Sequence, residues 1–146
     1  MRHWWPVRSR RSVPRSPVES LESRRLLSGA GPLVISEFMA DHSAGLVDEN
    51  NEFSDWIEIH NPTATAVNVD GYYLTDDAAL LTKWRLPAVN IAGNGYLVVF
   101  ASDKNRTTPR LHTNFKLSND GEYLGLVRPD GDTVSDHYAP EFPEQD

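Results

Sequence analysis

The stretch Asp55-Trp56-Ile57-Glu58-Ile59-His60-Asn61-Pro62 decides the fold of this chain. Its residues alternate, so Ile57 and Ile59 share one face of a strand and the residues between them share the other. Asn61-Pro62 then ends the strand, because proline cannot donate a hydrogen bond to a neighbouring strand and Asn-Pro favours a turn. The pattern predicts a β-strand with one face in a hydrophobic core.

From Leu33 onward the chain is typical of β structure, with runs of Val, Ile, Tyr, Phe and Trp between turns. Strands are predicted near 33–40, 54–60, 65–69, 71–75, 82–86, 95–101, 111–115, 122–128 and 132–137. Residue pairs suited to positive φ separate several of them, namely Asp70-Gly71, Asn94-Gly95, Asp120-Gly121 and Asp130-Gly131. Many short strands without a helical stretch indicate a sandwich or a barrel. The strand at 95–101 is apolar on both faces, which predicts a central position in its sheet.

Six further blocks accompany 55–62 in a fixed order, at 34–40, 71–76, 83–87, 95–102, 111–117 and 121–126. Together they resemble the lamin-tail domain in the form found in large bacterial surface proteins, over about residues 32–137. The resemblance implies an all-β, immunoglobulin-like sandwich of about 8–9 short antiparallel strands. It also implies a binding or structural module, so we expect no enzyme activity.

The N-terminal residues 1–31 are predicted to be a disordered basic leader, since seven arginines face only Glu19 and Glu22 within residues 1–29. The segment Leu21-Glu22-Ser23-Arg24-Arg25-Leu26-Leu27 is similar to the Leu-Glu-Pro-Arg-X-Leu-Leu signature of planctomycete surface proteins, with Ser23 in place of proline. The resemblance implies a sorting motif carried by Leu21, Glu22, Arg24, Leu26 and Leu27, and an extracellular or cell-surface location. The alternative is a disordered leader with a chance Leu-Leu pair.

The composition of the predicted domain at 32–138 argues against several classes of partner and chemistry. The total charge is −7, so the residues after 29 carry −12, which repels phosphate backbones and argues against nucleic acid. The chain has no cysteine, which excludes disulfides and thiolate chemistry. The longest apolar run, at 96–101, is too short to span a bilayer. Residues 139–146 are rich in proline and acidic residues and resemble a linker.

Acidic residues form the strongest candidate metal site. Calcium prefers six to eight oxygen ligands, and one compact loop offers several carboxylates. The predicted calcium ligands are Asp48, Glu49, Glu52 and Asp55, joined by Asp76 and Asp77. The alternatives are a solvated acidic loop at 48–52 and turn caps at Asp76-Asp77.

Catalytic and zinc chemistry lack a sequence motif. His42, His60, His112 and His137 show no His-x-His or His-x₃-His spacing. Ser36, Ser54, Ser102 and Ser118 are candidate nucleophiles, yet no Gly-x-Ser-x-Gly elbow is present. Lys104, Arg106 and Arg110 flank a polar loop, which we interpret as an ordinary solvated loop; the alternative is a modest positive patch.

The sequence therefore predicts a non-catalytic surface or extracellular interaction module whose partner is a protein or a cell-surface polymer. The predicted contact surfaces are the loops 41–53, 76–82 and 102–110, together with an exposed edge strand that could pair with a partner. The alternative is an accessory domain of a larger secreted hydrolase or spore-coat-kinase-like protein, of which this chain is an N-terminal fragment.

Overall fold

A computed structural model describes residues 4–6, 33–41, 43–120 and 122–138. Ten β-strands form within these ranges: β1 (Trp4–Pro6), β2 (Val34–Met39), β3 (Asp55–His60), β4 (Val67–Asn68), β5 (Tyr73–Thr75), β6 (Trp84–Arg85), β7 (Asn90–Ile91), β8 (Tyr96–Ala101), β9 (Leu124–Val127) and β10 (Val134–Tyr138). The predicted sorting motif at 21–27 and the predicted linker at 139–146 lie outside the described residues. Strand β1 lies within the segment for which the sequence predicts no regular structure.

The strands form two four-stranded antiparallel sheets and a two-stranded ribbon. The first sheet has the order β1-β2-β3-β8, the second has the order β10-β9-β5-β6, and the ribbon pairs β4 with β7. The core lies between the sheets, where Ile57 and Ile59 of β3 meet Leu74 of β5 and Leu124 and Leu126 of β9. This arrangement confirms the predicted all-β sandwich and the inward face of β3.

One predicted strand was wrong, and one strand was not predicted. Residues 111–115 form no regular strand, because His112 makes only single bridges to Phe100 and Arg106 while the chain turns around them. Strand β7 was not predicted, because its two residues are too few to show a periodicity.

The predicted central position of β8 was also wrong, because β8 lies at the edge of its sheet in the described part of the chain, with β3 as its neighbouring strand. Its second apolar face has a different cause. Phe100 packs with Met39 and Trp56 in a small cluster separate from the main core, and Val98 lies against this cluster. Apolar residues on both faces of β8 therefore reflect two separate cores rather than two neighbouring strands.

The side chain of Asn61 stabilises the turn that ends strand β3. Its side chain is fully buried, and its Nδ2 donates to the carbonyls of Thr65, Ile91 and Ala92 at 2.8, 3.0 and 3.2 Å. Its Oδ1 accepts the N–H of Thr63 at 3.1 Å. Asn61 therefore fixes the turn after β3 and ties it to the β4–β7 ribbon.

Candidate binding site

The acidic loop between β2 and β3 is organised by Asp48. Its side chain is buried, and Oδ1 accepts the backbone N–H groups of Asn50 and Glu52 at 2.8 and 3.0 Å. Oδ2 accepts the hydroxyl of Ser54 at 2.9 Å. Backbone N–H groups in a loop lack the carbonyl acceptors that a neighbouring strand would provide. A local carboxylate can accept their hydrogen bonds instead. Asp48 therefore shapes the loop as well as contributing charge.

Lys104 joins this loop to the loop that follows β8. Its Nζ donates to Asp48 Oδ2 at 2.7 Å, to Glu52 Oε1 at 2.5 Å and to Asn50 Oδ1 at 3.2 Å. Arg106 adds a hydrogen bond to Asn50 Oδ1. The predicted solvated loop was therefore wrong for these two cations, since both are bound to the acidic loop.

The ion pairs shift the pKa values of both partners. Burial raises the pKa of Asp48, but hydrogen bonds from Lys104, Glu52, Ser54 and Asn50 outweigh it and hold the pKa well below its usual range. Burial likewise opposes the charge of Lys104, and its bonds to Asp48 and Glu52 leave its pKa raised. Both groups are therefore ionised at neutral pH, and the contact is an ion pair.

His112 forms the second link between the loops. The ring is fully buried and stacks on Phe100, with 5.2 Å between centroids. Nε2 lies 2.7 Å from Glu49 Oε2, and Nδ1 lies 2.7 Å from Ser102 Oγ. Burial opposes the charge of Glu49, but its hydrogen bond with His112 and the nearby charge of Arg106 leave its pKa lowered.

The row Ser102–His112–Glu49 has the hydrogen-bond order of a serine hydrolase triad. Its surroundings differ from those of a nucleophile. Ser102 Oγ also accepts the N–H of Lys104 at 3.2 Å, which makes it a turn cap, and the imidazole is enclosed. We interpret the row as a structural link between the two loops.

Only part of the predicted calcium set comes together. Asp48, Glu49 and His112 offer ligand atoms within 4.8 Å of one another. The side-chain carboxylates of Glu52 and Asp48 both bind the ammonium of Lys104, and Asp55 lies at the start of β3. The ammonium of Lys104 therefore occupies the position between carboxylates that a hard cation would take. Calcium binding at this loop stays a prediction, and an ion between Asp48 and Glu52 would compete with Lys104.

Asp76 and Asp77 have other partners. Asp76 Oδ1 pairs with Lys83 Nζ at 2.6 Å, and Asp77 Oδ1 accepts the N–H of Ala79 at 2.8 Å, as predicted for a turn cap. No sequence pattern indicates a role for Glu122, which lies beside Asp76. Burial and the charge of Asp76 raise the pKa of Glu122 to about 7.

An open cleft of about 500 Å³ lies beside the joined loops. Its lining includes carboxylates, ammonium groups and one aromatic ring, from Asp41, Asp55, Lys104, Lys116, Asn119 and Phe53. The ring of Phe53 is 49% exposed, although it borders this charged surface. A cleft with charges of both signs and an accessible ring can bind the polar groups of a partner and also contact an apolar part of it.

The 76–82 loop, which is also a predicted contact surface, connects to the same end of the molecule. Asn114 Nδ2 donates to the carbonyl of Lys83 at 3.0 Å, and Trp84 Nε1 donates to Asn105 Oδ1 at 3.1 Å. The 76–82 loop, which precedes Lys83, is thereby linked to the segment that carries Lys104. Leu80 of this loop is 48% exposed.

The two antiparallel sheets, the loops at one end and the shared core define an immunoglobulin-like β-sandwich. The family model of the Lamin Tail Domain matches residues 27–140. The chain therefore belongs to the lamin tail domain family, and it is a module of immunoglobulin-like type. A comparison with curated protein sequences gave no match. Within the described residues, no helix is long and apolar enough to cross a membrane.

Proposed function

We propose that this domain is an interaction or adhesion module of the cell surface or the extracellular space, with a protein or a surface polymer as its partner. The observation that carries the proposal is the pairing of Asp48 with Lys104, which lie 56 positions apart and join two loops beside the cleft. Loops carry recognition on sandwich folds because the sheets beneath them are rigid. The joined loops are the surface on which we place binding.

Ordering before contact favours binding at this surface. A loop that must be ordered on association loses conformational freedom, and this loss reduces affinity. Here Asp48 orders its own loop, and Lys104 and His112 hold it against the neighbouring loop. A partner therefore meets a surface whose shape is already set.

Phe53 is the expected anchor. Aromatic side chains supply most binding energy in many interfaces when a rim of polar groups surrounds them. Phe53 is half-exposed and borders the cleft, whose other lining is largely charged or polar. We expect the partner to cover this ring and to pair with the charges around it.

The test uses the intact chain and cell envelopes of the organism that encodes it. Labelled chain is incubated with envelope fractions, and bound and free chain are separated by sedimentation. Phe53→Ser should reduce binding about tenfold or more, as loss of an anchor does. The control is Arg85→Ser, because Arg85 is exposed on β6 and does not line the cleft. Equal binding by both variants would exclude the cleft as the contact surface.

The location has its own support and its own test. The proposed location rests on the similarity of residues 21–27 to a sorting signature. A reporter fused behind residues 1–31 should reach the cell surface in a bacterium that exports proteins with that signature. Replacement of Arg24 and Leu26 by alanine should retain the reporter inside the cell. Export of that variant at the unchanged level would remove the sorting role.

A further inference from the structure

Strand β8 has two sides that can form backbone hydrogen bonds, and in the described part of the chain one of them is paired over only half of its length. One side pairs with β3 along all six residues, from Asp55–Ala101 to His60–Tyr96. On the other side, Phe100 N–H donates to the carbonyl of Leu111 and Phe100 C=O accepts the N–H of Thr113, both at 2.8 Å. The segment 111–113 thus covers the end of β8 that contains Phe100.

The other half of the same side is open. In an antiparallel pair, the peptide groups of alternate residues point to the same side, so Val98 and Tyr96 point the same way as Phe100. Within the described part of the chain, no hydrogen bond joins the outward N–H and C=O groups of Val98 and Tyr96. Burial follows this division: Val99, Phe100 and Ala101 are buried, Leu97 and Val98 are half-buried, and Tyr96 is exposed.

The open half has the character of a strand that pairs with another strand. Edge strands that stay unpaired in proteins are commonly protected by lysine, proline or an inward charge. Tyr96–Ala101 carries no charge, no proline and no glycine. Its Tyr96 is more exposed than the other exposed large hydrophobic residues, Leu46, Phe53 and Leu80.

We propose that this edge pairs with the same edge of a second copy of the chain, as an antiparallel β8–β8 contact. The inference rests on the proposed function, since it specifies how such modules assemble. Centring the pair on Leu97 places Tyr96 of each copy opposite Val98 of the other. Both residues have free peptide groups, so the contact gains four backbone hydrogen bonds. A register shifted toward Phe100 is excluded, because its peptide groups are already bound to Leu111 and Thr113.

Side chains support the same register. Aromatic and β-branched residues form favourable cross-strand pairs, and each copy contributes one such pair through Tyr96 and Val98. The contact also covers Leu97, which the second sheet leaves half-buried. The uncharged edge suits a second copy because the rest of the domain is acidic, so two copies approach best where neither carries charge.

The charge of the domain sets the salt dependence of this contact. The residues after 29 carry −12, so two copies repel each other at low ionic strength. Salt screens this repulsion over a Debye length of about 10 Å at 0.1 M, while it leaves backbone hydrogen bonds unchanged. Association through β8 should therefore strengthen with added salt. An association that depends on ion pairs would weaken.

The experiment is sedimentation velocity on the full chain over a wide concentration range, at low and at high salt. We expect a monomer–dimer equilibrium that shifts toward the dimer at high salt. Val98→Pro removes the outward N–H of Val98 and keeps the β3 pairing, so each dimer loses two hydrogen bonds and the dissociation constant should rise about tenfold or more. Tyr96→Lys places a charge at the edge and should weaken the dimer similarly.

The matched control is Phe53→Lys, since Phe53 is similarly exposed but lies at the cleft. It should leave dimerisation unchanged and reduce envelope binding. Amide exchange at Tyr96 and Val98 should slow as the chain concentration rises. A chain that stays monomeric at the highest concentration, or a dimer that Phe53→Lys weakens and Tyr96→Lys does not, would overturn the proposal. Either result leaves the envelope-binding assay of the proposed function independent.

Discussion

The carboxylate of Asp136 accepts the backbone N–H of Ile35 at 2.7 Å across 101 residues of sequence. The two groups belong to different sheets, because Ile35 lies in β2 and Asp136 in β10. Both strands have a register irregularity here, between Ile35 and Glu37 and between Val134 and Asp136. A bulge leaves a peptide group without its ladder partner. The buried Asp136 supplies that partner and connects the two sheets.

Asp136→Ala should destabilise the domain by about 1–3 kcal/mol, because it leaves the N–H of Ile35 buried without an acceptor. Thermal unfolding would then occur several degrees lower. The matched control is Asp132→Ala, an exposed carboxylate on the turn before the same strand. Equal melting temperatures for the two variants would show that the contact with Ile35 contributes nothing to stability.

Asn61→Ala should also be strongly destabilising, by about 3 kcal/mol, because three carbonyls lose their donor and the turn after β3 loses its acceptor. The control is Asn68→Ala, since Asn68 is exposed and its Oδ1 accepts the N–H of Asp70 at 2.8 Å. Urea unfolding monitored by tryptophan fluorescence gives both values. We expect the Asn68 variant to lie within about 0.5–1 kcal/mol of the parent.

The sequence predicted the sheets well where alternation is long enough to assign a face. Strand β3 shows this, since Ile57 and Ile59 lie in the core as the pattern requires. Strand β8 shows the limit, because its second apolar face packs on Met39 and Trp56 rather than under another strand. Periodicity reports which residues are buried, and it does not report what buries them.

The sequence shows that the loop of the site is acidic, but it does not show which residues pair with those carboxylates. The acidic loop was visible as a run of carboxylates, but its partners Lys104, Arg106 and His112 are more than 50 positions away. Such pairs depend on which loops the fold brings together, and no local pattern encodes that. The same holds for Glu122, whose pKa is raised by burial and by its proximity to Asp76.

Lys104→Met should lower stability by about 2–3 kcal/mol at neutral pH, since it leaves the buried carboxylate of Asp48 without its cation. This is below the usual range for a broken buried pair because Lys104 is itself 26% exposed. Lys116→Met is the control, because Lys116 lines the same cleft and is exposed. Chemical denaturation of both variants gives their free energies of unfolding. It shows whether stability depends on the ion pair of Lys104 or only on the positive charge at the cleft.

Acidification should weaken the link between the loops. The pKa values of Asp48 and Glu49 are lowered in the folded state, so both contribute stability that is present above their unfolded values and is lost as pH falls toward their folded values. We expect the melting temperature to fall below about pH 4. The double variant Asp48→Asn, Glu49→Gln should show a smaller fall between pH 5 and pH 3 in the same assay, at about the same ionic strength. An unchanged fall would assign the acid sensitivity to other carboxylates.

Glu122 should show the opposite dependence. Its folded pKa of about 7 lies above the ordinary value of 4.5, so its contribution is fully present below pH 4.5 and is lost as pH rises toward 7. Glu122→Gln should therefore raise the melting temperature by a few degrees at about pH 8 and leave it nearly unchanged at about pH 4. Asp103→Asn, at an exposed carboxylate, serves as the control for the loss of one negative charge. A gain of equal size at both pH values would point to a cause other than titration.

Calcium should distinguish the parent chain from Lys104→Met. In the parent, the ammonium of Lys104 lies between Asp48 and Glu52, so a calcium ion must displace it before it reaches these oxygens. In the variant the carboxylates are free to bind, and a ligand at 100 times its dissociation constant stabilises the folded state by about 2.7 kcal/mol. We expect millimolar calcium to raise the melting temperature of the variant more than that of the parent, with EDTA as the reference condition. If calcium stabilises the parent by at least the same amount, the ion binds without displacing Lys104, and the acidic loop coordinates it through other oxygens.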